Sequence, residues 1–284
     1  MTRRGRRLTR VTTASGMHSV PLVTYDARRI AGRVVLGAAS HVGRLAYFAL
    51  ELFRGVSDWR VWLPLTVAQA KLVGFGSLFI VLLTAGFAGA VTSAQAGYQL
   101  TEGVPVYFAA GVIVQTILTE LGPVLTALVL AGRIGARYAA ELGTMRVTEQ
   151  IDALESLGRS AESHLLLPRI IAGTLMLPVL TIIANATAIG VGWITAVNTM
   201  EMSNYDFIYG AQYFYKVGDP WYSLIKAFFF GLAVSFVPCY VGFNTSGGAE
   251  GVGRSTTSAV VSASVLILLL DAALANLILP ILPQ

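Results

Sequence analysis

The sequence predicts an all-α membrane protein. An N-terminal amphipathic helix on the membrane surface precedes five transmembrane helices, with a charged cytoplasmic helix between the second and third. Three observations carry this expectation. Hydrophobic residues make up 55% of the 284 residues and charged residues only 12%, against about 45–50% and about 25% in soluble domains. Mean hydropathy is +0.68. Five apolar stretches each approach or exceed the roughly 20 residues that a ~30 Å hydrocarbon core requires.

The N-terminal part is basic. Twelve of the 20 Lys and Arg residues stand at or before Lys71, among them Arg3, Arg4, Arg6, Arg7 and Arg10. Such a balance suits anionic headgroups and cytoplasmic retention better than nucleic acid, because nucleic-acid binding needs a soluble basic face. Residues 1–27 read as a disordered basic cytoplasmic tail, with a targeting segment as the alternative. In residues 28–70, Leu45, Phe48, Ala49, Leu52 and Phe53 recur at one helical face, as in a helix lying in the headgroup plane. The permease-like part then spans 71–284.

The first expected span is Leu72 to Thr92, and the second runs from Val104 to about Ala131 with Glu120 and a Gly122-Pro123 pair inside it. The third, Leu165 to Val197, is long enough to require tilt or projection. The fourth covers about Tyr222 to Phe243 and the fifth about Thr257 to Leu279, with Asp271 within it. Residues 132–164 carry Arg133, Arg137, Arg146 and Arg159, whereas 93–103 carry neither Lys nor Arg. The positive-inside rule therefore places the N-terminus in the cytoplasm, and five spans leave the C-terminus outside. The aromatic segment at about 203–221 suits the opposite interface, or a docking surface there.

Three polar residues stand out inside the spans. Glu120 costs at least about 2.5 kcal/mol in hydrocarbon, so it should face a cavity or a partner. The adjacent Gly122-Pro123 interrupts helical hydrogen bonding and frees backbone that can line a cavity. Asp271 fits inter-helix hydrogen bonding, and Asn185 is a further intramembrane polar residue. Ala184, Ala188 and Gly192, at four-residue spacing, permit close helix approach.

Between the second and third spans, Leu142, Met145, Ile151, Leu154 and Leu157 can share one helix face while Glu149, Asp152 and Glu155 follow another. Gly143 and Gly158 would bracket a cytoplasmic helix of about 141–157. No catalytic set accompanies it: the chain holds no HExxH, no GxxxxGK[ST] and no Ser-His-Asp arrangement. Its lone Cys239 and three scattered histidines show no metal-ligand spacing.

Thr119–Gly158 (TELGPVLTALVLAGRIGARYAAELGTMRVTEQIDALESLG) closely resembles the signature region of the MlaE/YrbE permease family, and Gly251–Val261 (GVGRSTTSAVV) resembles the segment before that family's last span. The resemblance implies a transmembrane subunit of an ABC-type lipid transporter, itself not an enzyme and binding no cofactor. Its implied partners are a second permease copy, a cytoplasmic ATPase that uses ATP, an MCE-domain lipid carrier outside, and membrane lipid, expected to be phospholipid. A bacterial inner membrane is the implied site, or the envelope of a bacterium-derived organelle. The coupling role would fall on Glu141, Thr144, Met145, Arg146, Glu149, Gln150 and Asp152. The lipid cavity would include Thr119, Glu120, Gly122 and Pro123. One branch has Arg before the acid where this chain has Thr119, which puts phosphate gripping at this position in doubt. The contrasting expectation is a proton-coupled secondary transporter using Glu120 and Asp271.

Overall fold

The structure, a computed structural model, describes residues 43, 46–53, 55–100, 104–200 and 202–278. The predicted tail at 1–27, and residues 28–42 of the predicted interfacial region, lie outside the described residues. The chain falls into two compact units, Met1–Tyr47 and Phe48–Gln284, and of the first only Gly43, Ala46 and Tyr47 are described. Helix accounts for 90% of the described residues, and no strand is present among them. The helices are α1 (46–53), α2 (Trp59–Gln99), α3 (Tyr107–Val147), α4 (Gln150–Ser156), α5 (Glu162–Thr199), α6 (Asn204–Phe214), α7 (Gly218–Phe243) and α8 (Gly248–Ile278). Five of them, α2, α3, α5, α7 and α8, are long and apolar enough to cross a membrane.

The spans are longer than hydropathy alone suggests. At 1.5 Å per residue, the 41 residues of α2 and of α3 each reach about 60 Å, twice the hydrocarbon thickness. Residues 59–70, expected in a surface helix, instead begin α2. Pro64 is tolerated there because only one hydrogen bond is lost close to the helix start. Likewise, Arg133 and Arg137, expected in the connection after the second span, lie within α3, and Arg146 lies on its last turn. Hydropathy marks where lipid ends; helical hydrogen bonding continues beyond it.

Small residues decide how α2 meets α5. A β-carbon on Gly89 would lie 2.0 Å from the Ala188 carbonyl oxygen, and one on Gly192 would lie 3.2 Å from the Gly89 oxygen. The Ala184–Ala188–Gly192 stripe therefore seats α2 within the chain. In turn, α7 packs on α5 and α8, and the C-terminal half of α3 packs on α7 and α8.

The buried apolar residues form two clusters. One joins Phe48 and Leu52 of α1 to Leu130, Tyr138, Leu142, Leu166, Phe230 and Ile267. The other joins Val81, Ile113, Ile117, Ala184 and Phe207. Phe75, Phe79 and Phe87 of α2 remain largely exposed, which is the normal condition of a side chain whose solvent is hydrocarbon.

At the opposite end from α4, α6 begins at Ser203, whose hydroxyl accepts from the Tyr205 amide at 3.2 Å. Gly210 lets α6 rest directly on the Tyr107 backbone. Tyr205, Tyr209 and Tyr213 stack one turn apart, with centroids 6.1 and 6.0 Å apart, and Tyr107 meets Tyr209 edge-on. The aromatic density of this segment thus forms an ordered ladder.

Candidate functional site

Inside the bundle, one lysine gathers two acids from different helices. Lys226 of α7 has a fully buried side chain, and its ammonium donates to Glu120 Oε2 of α3 at 2.7 Å and to the Thr119 carbonyl at 3.1 Å. It also forms an ion pair with Asp271 Oδ1 of α8. The Tyr222 ring lies 4.9 Å below the ammonium. Three helices are thereby held at one point.

Local sequence explains why a carbonyl is available there. Pro123 has no N–H, so the Thr119 carbonyl four residues earlier loses its helical donor. The backbone widens into a π-helical turn over Ile117–Leu121, a common consequence where the regular ladder is interrupted. Lys226 takes the freed oxygen. Gly122 is needed for a second contact, since a β-carbon would lie 1.6 Å from Asn185 Oδ1. Asn185 in turn donates to Ser223 at 3.0 Å. Both intramembrane acids thus find the same cation, and Asn185 belongs to the polar layer beside it.

A second polar cluster sits at the end of the bundle nearer α4. Glu141 accepts from Arg137 at 2.6 Å, one turn earlier on α3, and from the buried Arg169 of α5 at 3.1 Å. Arg169 also donates to the Leu165 carbonyl at 2.7 Å and lies over the Tyr138 ring. Its Nε has no hydrogen-bond partner.

Beyond this cluster the expected single helix is broken. α3 ends at Val147, Glu149 adopts a left-handed backbone with φ 59°, and α4 starts at Gln150. Gly143 brackets nothing: it is buried within α3, with Thr245 3.1 Å from where a β-carbon would stand. Gly158, at φ +73°, does mark the end after α4. The break redistributes the faces. Leu142 and Ile151 are buried, whereas Leu157 is 77% exposed. Arg146 bridges the break to Asp152 at 2.6 Å and lies over the Phe243 ring. Thr144, Glu149, Gln150 and Asp152 are exposed, and Met145 and Arg146 are half-buried.

The family profile described as Permease MlaE matches residues 66–277. The chain belongs to the MlaE permease family. A "Probable ABC transporter permease protein" of Rickettsia bellii is 35% identical over 238 residues, covering 84% of this chain and 92% of the relative. Proteins with the same description from Synechocystis sp. and Pyropia yezoensis are each 38% identical, over 217 and 196 residues. These cover 75% and 69% of this chain, and 81% and 74% of the relatives. The chain is accordingly an integral membrane permease subunit of the ABC type.

Within this MlaE-family chain, the four expected cavity residues are distributed unevenly. Thr119 and Glu120 are half-buried, while Gly122 and Pro123 are buried in helix packing. A cleft of about 580 Å³ runs instead along α2 and α3 past Phe87, Val91, Gln95, Gln99, Thr116 and Leu121. Of the coupling set, Glu141 faces inward to two arginines and the remaining residues surround the α3–α4 break.

Lys226 and Arg169 are absent from the residues singled out above. Each had a readable signal: Lys226 is the sole Lys or Arg from Trp221 to Gly253, and Arg169 follows LLLP at the start of the third span. A lone base in hydrocarbon requires an acid, and two intramembrane acids were already in view. Among the described residues, no group of three His, Cys, Asp or Glu could hold a metal ion.

Proposed function

We propose that this chain is the permease subunit of an ABC-type lipid transporter. Two copies face one another, a separate cytoplasmic ATPase supplies the energy, and an MCE-domain carrier exchanges lipid on the extracytoplasmic side. The assembly sits in a bacterial inner membrane or a derived organelle envelope, with the N-terminus in the cytoplasm and the C-terminus outside. Family membership supports the energy source, since the relatives' names are those of ABC permeases, and it favours ATP over the proton-coupled alternative.

The observation that carries the reading is α4. It is a short helix anchored by the fully buried Ile151; it presents Gln150 and Asp152 outward, and Glu149 is exposed in the link just before it. A rigid helix with fixed charges suits a groove on a partner. Motion imposed on α4 reaches α3 through Arg146–Asp152 and α5 through Glu141–Arg169. The spans then shift, and the cavity between copies opens or closes around an acyl chain, with phospholipid as the family's expected cargo.

Co-purification from the native host, followed by ATPase and lipid-transfer assays, tests this. An ATPase subunit is expected in the complex, with activity lost for Glu149→Lys and Asp152→Lys. Glu149→Lys is the cleaner variant, because Asp152 also serves the intramolecular pair. Glu120→Leu leaves Lys226 paired with Asp271, so the complex should assemble yet transfer lipid poorly. A purified complex without an ATPase subunit would sink the proposal.

A further inference from the structure

We infer that a groove on the outside of the bundle, between α2 and α5, holds an anionic phospholipid, with its phosphate on Lys71 and one acyl chain along the groove. This site lies on a different face of α2 from the cleft shared with α3 and goes beyond the transport reading. The first observation concerns the base. Lys71 is exposed and, among the described residues, makes no ion pair or hydrogen bond. The 41 residues of α2 include no Asp or Glu that could pair with it. Exposed apolar side chains stand on both sides of it along the helix, Leu63, Leu65 and Val67 before it and Phe75 and Phe79 after it. A base on such a lipid-facing surface needs an anion, and its long stem carries the ammonium to the level of the headgroups. The anions found there are lipid phosphates.

The second observation is independent and concerns the shape beside that base. A groove of about 350 Å³ runs past Val67, Ala70, Gly74 and Leu78 of α2 and Met176 and Ile183 of α5, and Lys71 is the one charged residue lining it. Gly74 makes room for the floor, since a β-carbon there would lie 2.5 Å from Met176 Cε. From Val67 to Leu78 the groove extends about 16 Å at 1.5 Å per residue, roughly half of the ~30 Å hydrocarbon core. It stops short of Gly89 and Ala188, where the two helices close on one another. That length fits an acyl chain from one leaflet, whereas a partner's transmembrane helix would need a seat along the whole core. The leaflet is the one on the α4 side, because the Ser163 hydroxyl at the start of α5 donates to the Gly55 carbonyl just before α2, at 3.1 Å. Side chains lean towards the N-terminus of their helix, which directs the Lys71 ammonium to the outer mouth of the groove. Charge and hydrocarbon thus meet in the order in which a phospholipid presents them.

The test titrates the purified complex, in detergent and without nucleotide, with dioleoyl phosphatidylglycerol or dioleoyl phosphatidylcholine, and counts bound lipids by native mass spectrometry. The two probes share acyl chains and phosphate and differ in net charge. One site should bind phosphatidylglycerol about fivefold or more tightly than phosphatidylcholine, the factor expected from a single basic residue at the membrane surface. Lys71→Gln should abolish that preference and Lys71→Arg should keep it. Ala70→Phe, which fills the groove beside the base, should weaken the binding of both lipids. Equal affinities in the unmodified complex overturn the inference, as does a preference that survives Lys71→Gln or full binding in Ala70→Phe. Cross-linking of a photoreactive residue at position 75 to a partner's transmembrane segment in place of lipid also overturns it. Each readout is made without transport, so its failure leaves the transporter reading standing.

Discussion

Replacing Lys226 by Met should destabilise the protein far more than neutralising either of its acids. The ammonium stands between Glu120 and Asp271, whose side chains are 41% and 24% exposed. Methionine matches the stem in length but leaves both carboxylates without a cation, and frees the Thr119 carbonyl a second time. Removing one partner of a buried pair costs about 3–5 kcal/mol. Glu120 is the more accessible acid and contributes less of this than Asp271, because water screens its side of the pair. The expected loss corresponds to a melting temperature lower by about 6–20 °C in a chain of this size. Glu120→Gln or Asp271→Asn alone, by contrast, leaves a neutral one-to-one pair and should shift stability by no more than about 1 kcal/mol. The triple variant K226M–E120Q–D271N, with no charge left in the layer, should recover most of what Lys226→Met loses. Thermal unfolding of purified protein in one detergent, read by intrinsic fluorescence, measures all four. Were K226M to melt with the wild type, or the triple variant with K226M, Lys226 would not be the shared counter-ion.

Three further outcomes follow from the same geometry. Glu141→Gln strands the buried Arg169 guanidinium and should cost about 3–5 kcal/mol, whereas Arg137→Gln removes only the half-exposed partner and should cost less than about 1 kcal/mol; equal melting temperatures would contradict the pairing. Gly89→Val forces α2 away from the Ala188 carbonyl, where a β-carbon would already lie 2.0 Å away, and should cost about 3 kcal/mol or more, whereas Gly132→Ala, with open space around it, should be tolerated in the same unfolding assay. Glu149→Gly relieves the left-handed strain of about 1–2 kcal/mol, so stability measured by unfolding should hold or rise; if ATPase coupling falls in that stable variant, the loss reports the carboxylate itself.

Several features of the site were already visible in the residue order. Glu120 and Asp271 were conspicuous because any acid in hydrocarbon demands a reason. The Gly122-Pro123 interruption announced a freed backbone group. The amphipathic string from Leu142 to Leu157 marked a helical element between the second and third spans. Other features were hidden for a physical reason. Helical periodicity persists through a single break, so residues 141–157 read as one helix although Glu149 turns the chain between two. The small-residue stripe of α5 permitted a close neighbour without saying which helix it was. Surface and spanning parts of α2 could not be separated by hydropathy, since the helix continues past the lipid boundary.

Composition and span length alone made this chain an all-helical membrane protein with five crossings, because a backbone in hydrocarbon must satisfy its own hydrogen bonds. The string around Glu120 and the charged segment after it were sufficient to point to the MlaE permease family. Only the tertiary structure decided that Glu120 and Asp271 share one lysine, that Glu141 turns inward to Arg169, and that Ala188 receives Gly89. Each is a meeting of helices distant in sequence, 106 residues apart for Glu120 and Lys226. A helical repeat states which face a residue occupies; which other helix arrives there is settled by packing the five spans together.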